Sequence, residues 1–349
     1  MKTVILYCRD INMTTLWRQA CEKLAVDHEC IDVSAHDWLS RIRSAHPDLV
    51  LLRPPGDVES DKIMFDERLY VISKVLRIKT FPTYEEILIY ENKKMLSYIL
   101  EAQGLPHPKT RVFYDKIEAL DYVSHCDYPV VMKSSIGASG IGVLVMRDSK
   151  KAARYVHQAF SKRGVPMQIG PNRVIGSVGK WVRTALSDTA RARDRISQYH
   201  RISVNRPKNF MITQEYIPHD FEWRVIVIGN SHYAYQKSKY KDKCSGTKSR
   251  EYVDPPKAIL NFASYVCREM RINSAAIDMF EHEGEYLINE IQAIFGYYPG
   301  YIMMEVNGIP GRYEYRDGEW IYIEGRSDSN ESYEYRLELA LKLYQEGNL

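Results

Sequence analysis

Asp278, Glu290 and Gln292 are three oxygen-bearing side chains within residues 275–296, AAIDMFEHEGEYLINEIQAIFG. AAIDMF is an apolar run carrying one carboxylate, and HEGE reads as a turn. YLINEIQ then alternates, so that Ile288, Glu290 and Gln292 share one face of a strand while Leu287 and Asn289 share the other. A hairpin of this kind can hold Asp278 opposite Glu290 and Gln292. One or two carboxylates with an amide oxygen make a hard donor set, which suits magnesium beside phosphates and does not suit zinc. A solvated hairpin with its acids on the wet face accounts for the segment equally well.

A second constellation lies at residues 128–146, YPVVMKSSIGASGIGVLVM. It reads as a strand ending in Lys133, a loop of small residues (Gly137, Ala138, Ser139, Gly140, Gly142) and a second strand. Such a loop lets backbone N–H groups approach phosphates, and Lys133 adds a point charge. The GxxxxGK[ST] order is missing and no helix follows, so this is not a P-loop. A tight hairpin without a ligand is the plain alternative.

The elements that must position these residues follow an α/β pattern. TVILYC, a helical stretch 13–26, HECIDV, a helical 36–45, DLVLLRPP and a helical 61–77 alternate over the first ninety residues, which implies a parallel sheet. No GxGxxG follows the first strand, so dinucleotide binding is not indicated. A helix over 92–103 is closed by Gly104, with Pro106 and Pro108 beyond it. Strands RVFYD, PVVMK and GVLVM then surround two helices, and residues 161–209 look like an insertion. Strands return at MITQEYI, WRVIVIG and SHYAYQKS. A helix over 256–270 and the acidic hairpin complete this unit. The tail holds a DG turn at Asp317–Gly318 between RYEY and EWIYIE, and a last helix from about Ser332.

At 349 residues the chain is long enough for two to three domains. Its six cysteines are scattered, without a CxxC pair, which argues for reduced thiols and a cytoplasmic setting. No apolar run approaches membrane-span length, and MKTVILYC meets Arg9 and Asp10 too soon for a signal peptide. The net charge is only +3, but it is unevenly spread: residues 157–210 carry +9 and residues 236–250 carry +5. This separation suggests an anionic ligand near the basic segments, although a solvated helix face and a mobile loop would also explain it. Nothing indicates nucleic-acid binding or a membrane partner, and homo-oligomerisation stays open.

Together, Lys93, Lys133 with its Gly/Ser loop, QEYI, EWR, Asp278, Glu290 and Gln292 resemble, in order and spacing over residues 93–296, the ATP-grasp superfamily. The likeness is greatest to its RimK-like carboxylate–amine ligases. The resemblance implies an N-terminal Rossmann-like pre-ATP-grasp domain (1–91), a two-lobed ATP-grasp unit (92–300) with a basic insertion at 161–209, and a C-terminal hairpin and helix (301–349). It implies ATP and Mg2+ as cofactors. Lys93 and Lys133 would hold the α- and β-phosphates, and the Ser139–Gly140 loop would close over the β- and γ-phosphates. Gln214, Glu215, Tyr216 and Ile217 would contact adenine, Glu222 would face the ribose, and Asp278, Glu290 and Gln292 would be the metal ligands. Arg224 would face the reacting group, with Lys237 and Lys243 as further catalytic cations.

Gln292 departs from the family's usual Asn by one methylene. A second candidate, Glu305 and Asn307 in MEVNGIPG, is set aside because twenty-seven residues separate Asp278 from Glu305. The activity implied is ATP-dependent amide formation from a small-molecule carboxylate and an amine through an acyl phosphate, with at least one substrate anionic. A kinase of the same fold, or a non-catalytic nucleotide-binding protein, are the alternatives. Residues 236–250 are expected to form a mobile lid, because six cations around Ser245 and Gly246 would repel one another in an empty site.

Overall fold

The computed structural model describes residues 1–137, 140–167, 189–240, 243–244, 250–296 and 300–349. Its first part is a parallel sheet of β1 (Thr3–Tyr7), β2 (His28–Asp32), β3 (Leu49–Arg53) and β4 (Lys79–Phe81), in the order β2-β1-β3-β4. β3 is buried at all five positions, as a strand covered on both faces by helices should be. The helices α1 (Thr15–Lys23), α2 (Trp38–Ala45) and α3 (Glu59–Tyr70) fall where the alternation places them. Two elements were not legible in the pattern. β4 has three residues, too short for periodicity, and α4 (Tyr84–Ile89) is a six-residue helix. A capping box between Thr83 and Glu86 fixes α4. Buried Glu86 also accepts the Asn273 N–H at 2.7 Å, joining this unit to the central sheet.

A second, antiparallel sheet contains β5 (Thr110–Phe113), β6 (Val130–Lys133), β7 (Val143–Met146) and β8 (Met211–Glu215), in the order β5-β8-β6-β7. Helices α6 (Lys116–His125) and α7 (Ser149–Ala159) share its apolar core through Ala119, Val123, Ala152 and Val156. Between β7 and β8 lies α8 (Thr189–Val204), whose Gln198 and Arg201 reach Asp57 and Asp61 at the start of α3.

The largest sheet is built on β9 (Phe221–Ile228), β10 (Ser231–Tyr240), β13 (Ser274–His282) and β14 (Glu285–Gln292), with β11 (Lys243–Cys244) and β12 (Arg250–Glu251) beside β10. β15 (Glu305–Val306), β16 (Ile309–Arg316) and β17 (Glu319–Glu324) extend it on the far side, giving the path β14-β13-β9-β10-β16-β15. Its core is covered by α5 (Lys93–Ala102) through Leu96 and Leu100, and by α9 (Lys257–Glu269) through Ile259, Leu260 and Val266. The final helix, α10 (Ser332–Gln345), returns to the N-terminal unit and packs Tyr333 edge-on against Trp17 of α1, with ring centroids 4.8 Å apart. Among the described residues, no helix is long and apolar enough to cross a membrane.

The expectation of a mobile lid over 236–250 is corrected at its start. Residues 236–240 are the end of β10, paired with β9 and, at Gln236 and Lys237, with β12. Lys237 is buried, so its charge meets carboxylates and not the other lysines of the segment. Residues 241–242 and 245–249 lie outside the described residues. MEVNGIPG forms the tight β15–β16 hairpin, turned by Asn307 (φ 53°) and Gly308 (φ 77°). The sheet path puts Glu305 at the opposite end from Glu290.

Candidate active site

The charged residues singled out from the sequence converge between the small antiparallel sheet and the large one. Asp278 on β13 is the cross-strand partner of Arg224 on β9 and of Glu290 on β14. Arg224 grips Asp278 in bidentate fashion, Nε and one terminal nitrogen each 2.7 Å from a carboxylate oxygen. Lys237 on β10, directly opposite Glu222 on β9, lies 2.6 Å from Glu222 and 2.8 Å from Asp278. These contacts decide the protonation states. Burial opposes charge on Asp278, but Arg224 and Lys237 outweigh it and hold the carboxyl down to about 2. Both cations are in turn raised, because the carboxylates overcome the same cost of burial.

Glu290 approaches from the other edge. Its carboxylate is 3.3 Å from Lys93 at the start of α5, and Lys93 also donates to the Gly137 carbonyl at 3.3 Å. Burial works against the Lys93 charge, yet Glu290 and Glu91 carry its pKa upward. Lys133, at the end of β6, fares differently. Burial, with Lys93 beside it, lowers its pKa to about 8 against the pull of Glu290, Glu222 and Asp278.

One feature of β14 departs from the expected alternation. The β13–β14 register pairs Asp278 with Glu290 and then Met279 with Ile288, so Asn289 is an extra residue in a β-bulge. Asn289 therefore turns inward with Glu290, while Ile288 and Ile291 pack in the core. Its amide oxygen accepts from Lys133 at 2.8 Å and its amide nitrogen donates to Glu222 at 3.1 Å. Gln292 pairs with Ala276, on the face that Glu290 and Asp278 share.

The small-residue loop after Lys133 is held from two sides. Gly137, at φ 122°, donates its N–H to Glu91 at 3.1 Å, and Ser135 Oγ donates to Glu59 of α3. Gly142 cannot carry a side chain, since a Cβ there would lie 2.3 Å from that of Ser134. Gly140 (φ 69°) closes the turn into β7. Ser139 lies outside the described residues.

Behind the lysines runs a narrow cleft lined by Leu96, Leu100, Ile212, Gln214, Ile288 and Asn289. Gln214 donates to Thr110 Oγ1 at 3.1 Å, Glu215 is exposed and accepts from the Lys109 N–H at 3.3 Å, and Ile217 is buried. Tyr216 accepts from Lys239 at 3.0 Å. Lys243 sits in β11 opposite Tyr240, with its side chain outside what is described.

The sequence reading missed Glu91 and Asn289. Glu91 stands two residues before Lys93, which is the signal for it; for Asn289 the period-two pattern gives the wrong face, because a single inserted residue is not visible in it.

Comparison with known proteins bears on the fold that carries this site. The RimK-like ATP-grasp domain family matches residues 91–168. The solved RimK domain ATP-grasp protein of Sphaerobacter thermophilus superposes with a TM-score of 0.54 at 14% identity, over 83% of this chain and 90% of that one. This chain has the ATP-grasp fold. The ATP-grasp fold also matches D-alanine–D-alanine ligase from Bacillus anthracis, with a TM-score of 0.54 at 12% identity over 100% of this chain and 98% of the other. In sequence, the chain is 28% identical to alpha-aminoadipate–LysW ligase LysX of Saccharolobus solfataricus over 102 residues, 27% of this chain and 37% of that ligase's length.

Proposed function

We propose that this ATP-grasp chain is an ATP-dependent carboxylate–amine ligase that forms an amide through an acyl phosphate. The observation that carries this reading is the meeting of Lys93, Lys133 and Glu290, from α5, β6 and β14, at the mouth of an apolar cleft. Three separate elements bring two lysines and a carboxylate to one point, as holding a polyphosphate requires. The relatives described as ligases support the reaction class.

In this reading Lys93 and Lys133 bind the α- and β-phosphates, and the loop through Gly140 and Ser139 covers the terminal ones. Gln214, Glu215, Tyr216 and Ile217 flank the adenine, and Glu222 the ribose. Magnesium fits the donor chemistry: Asp278 and Glu290 are facing oxygen ligands, and Gln292 is on the same face. Both Asp278 oxygens are engaged by Arg224 and Lys237, so ligation there requires one cation to turn away. Magnesium would neutralise charge on the transferring phosphate. Released from Asp278, Arg224 or Lys237 would then face the acyl phosphate, and Lys243 would be a further catalytic cation. The chain's own contribution is positioning and fixed charge, with no covalent nucleophile.

The +9 of residues 157–210 supports an anionic substrate, and the free Cys8, Cys21, Cys30, Cys126 and Cys267 support a reducing, cytoplasmic setting. The test is hydroxylamine trapping. With ATP, magnesium and a panel of carboxylates, the chain should release phosphate and yield a hydroxamate, and Glu290→Ala should abolish both. A phosphorylated product without hydroxamate would make it a kinase; ATP binding without turnover on any carboxylate would make it a nucleotide-binding protein.

A further inference from the structure

Glu91 has no role in the ligase reading above, yet it sits at its centre. It directly precedes the N-cap of α5 in the left-handed region at φ 48°, unusual for a residue with a side chain. Its side chain is 1% exposed. The carboxylate accepts the Gly137 N–H at 3.1 Å and lies 3.6 Å from Lys93 Nζ. A Cβ at Gly56 would come within 3.3 Å of Glu91 Cγ and 3.1 Å of the Tyr90 hydroxyl, so the backbone at residue 56 packs closely against this side chain.

A backbone N–H from a glycine loop and a lysine ammonium, converging on one anionic oxygen, is how proteins bind phosphate. Here the oxygen belongs to the chain itself. Glu91 is only two residues from Lys93, so its carboxylate is always at high local concentration. If a triphosphate is to use Lys93 and the Gly137 N–H, the carboxylate must give up both, because they meet on one of its oxygens and a charged group that close in a buried site would also repel the phosphate.

We propose that Glu91 is a built-in occupant of the phosphate subsite, holding Lys93 and the Gly137 N–H until a nucleotide displaces it. The inference rests on the nucleotide-binding part of the proposed function. It makes Glu91 a residue that sets nucleotide affinity by competition. Loop contact and nucleotide contact then become alternatives, and Glu91 is the side chain that must move for the second to form.

Calorimetric binding of ATP, tripolyphosphate and adenosine to the full chain tests this, in wild type, Glu91→Gln and Glu91→Ala. Glu91→Gln keeps the shape and an oxygen for Gly137 but removes the charge, and matched melting curves check folding. ATP and tripolyphosphate should bind at least tenfold tighter to both variants, while adenosine, which has no phosphate, should bind all three proteins alike. A scaffolding role for Glu91 predicts the reverse, weaker ATP binding in the variants. ATP binding by wild type that is unchanged or weaker in both variants overturns this inference alone. Absence of ATP binding in all three proteins overturns the nucleotide-site reading and the inference with it.

Discussion

Lys133 is the residue whose chemistry is most exposed to test. Its buried ammonium, with Lys93 beside it, titrates near pH 8, well below an ordinary lysine. A bound triphosphate would favour the protonated form, so in the complex the pKa rises. Below about pH 8 the proton is already present, so Lys133 gives ATP affinity no pH dependence there. Above it each binding event must take up a proton, so affinity falls by about tenfold per pH unit. Titrations between pH 7 and 9.5 in two buffers of different ionisation enthalpy measure both the slope and the proton. Lys133→Arg, charged throughout, should flatten the profile; a wild-type affinity that does not change above pH 8 would remove Lys133 from the phosphate site. Asn289 gives a second measurement at the same scale. Asn289→Ala leaves Lys133 and Glu222 each without one buried partner, a loss of about 1–3 kcal/mol that urea denaturation can read. Asn289→Asp restores an acceptor for Lys133 but places a carboxylate against Glu222. It should rescue less than Asn289→Gln if the bridge needs both ends.

Among the elements, α10 has a role its sequence does not announce. Arg336 is fully buried and donates to the carbonyls of Phe295 at 3.0 Å and Ser332 at 3.2 Å, its guanidinium lying over the rings of Tyr333 and Phe295. Phe295 follows Gln292 by three residues, so the last helix fixes the exit of the strand that carries Glu290. Arg336→Met strands buried carbonyls and should cost about 2–4 kcal/mol. Stability by urea should fall, and Arg336→Lys should recover little of it, since an ammonium cannot reach several carbonyls in one plane. The fold was legible where periodicity runs long: the alternation placed β1 to β3, α5, α9, the β13–β14 hairpin and the start of α10 within a few residues. It failed at β4 and α4, which are too short to repeat, and at the bulge, where one extra residue moves Asn289 to the other face. Composition also misled where the expected lid overlaps the strand read over SHYAYQKS: Lys237 belongs to that strand, and its carboxylate partners lie far away in sequence. Side-chain chemistry could nominate Lys93, Lys133, Asp278 and Glu290, but only the folded chain shows which of them touch.

At the scale of the whole molecule, α8 is a described element that spans two units. It leaves the small antiparallel sheet and reaches the N-terminal unit, where buried Asp61 receives both Arg9 and Arg201 and Asp57 accepts from Gln198 at 2.6 Å. Arg9 and Asp61 belong to the same unit, whereas Arg201 comes from the other, so only the second pair can clamp the two. Arg201 is 46% exposed, and solvent screening limits such a pair to about 1 kcal/mol, roughly a fivefold change in opening. Hydrogen exchange of the α8 amides should therefore quicken about fivefold in Arg201→Ala and stay at the wild-type rate in Arg9→Ala. Salt supplies the internal control: near 1 M, where the screening length is about 3 Å, wild type should exchange as fast as Arg201→Ala, and the variant should not respond further. Equal exchange in wild type and Arg201→Ala at low salt would mean that contacts other than the Arg201–Asp61 pair hold α8. The separation of the two units would then rest on other contacts, the Ser135–Glu59 hydrogen bond and the Lys94–Glu59 pair among them, and Glu59→Gln would be the variant in which the α8 amides speed up.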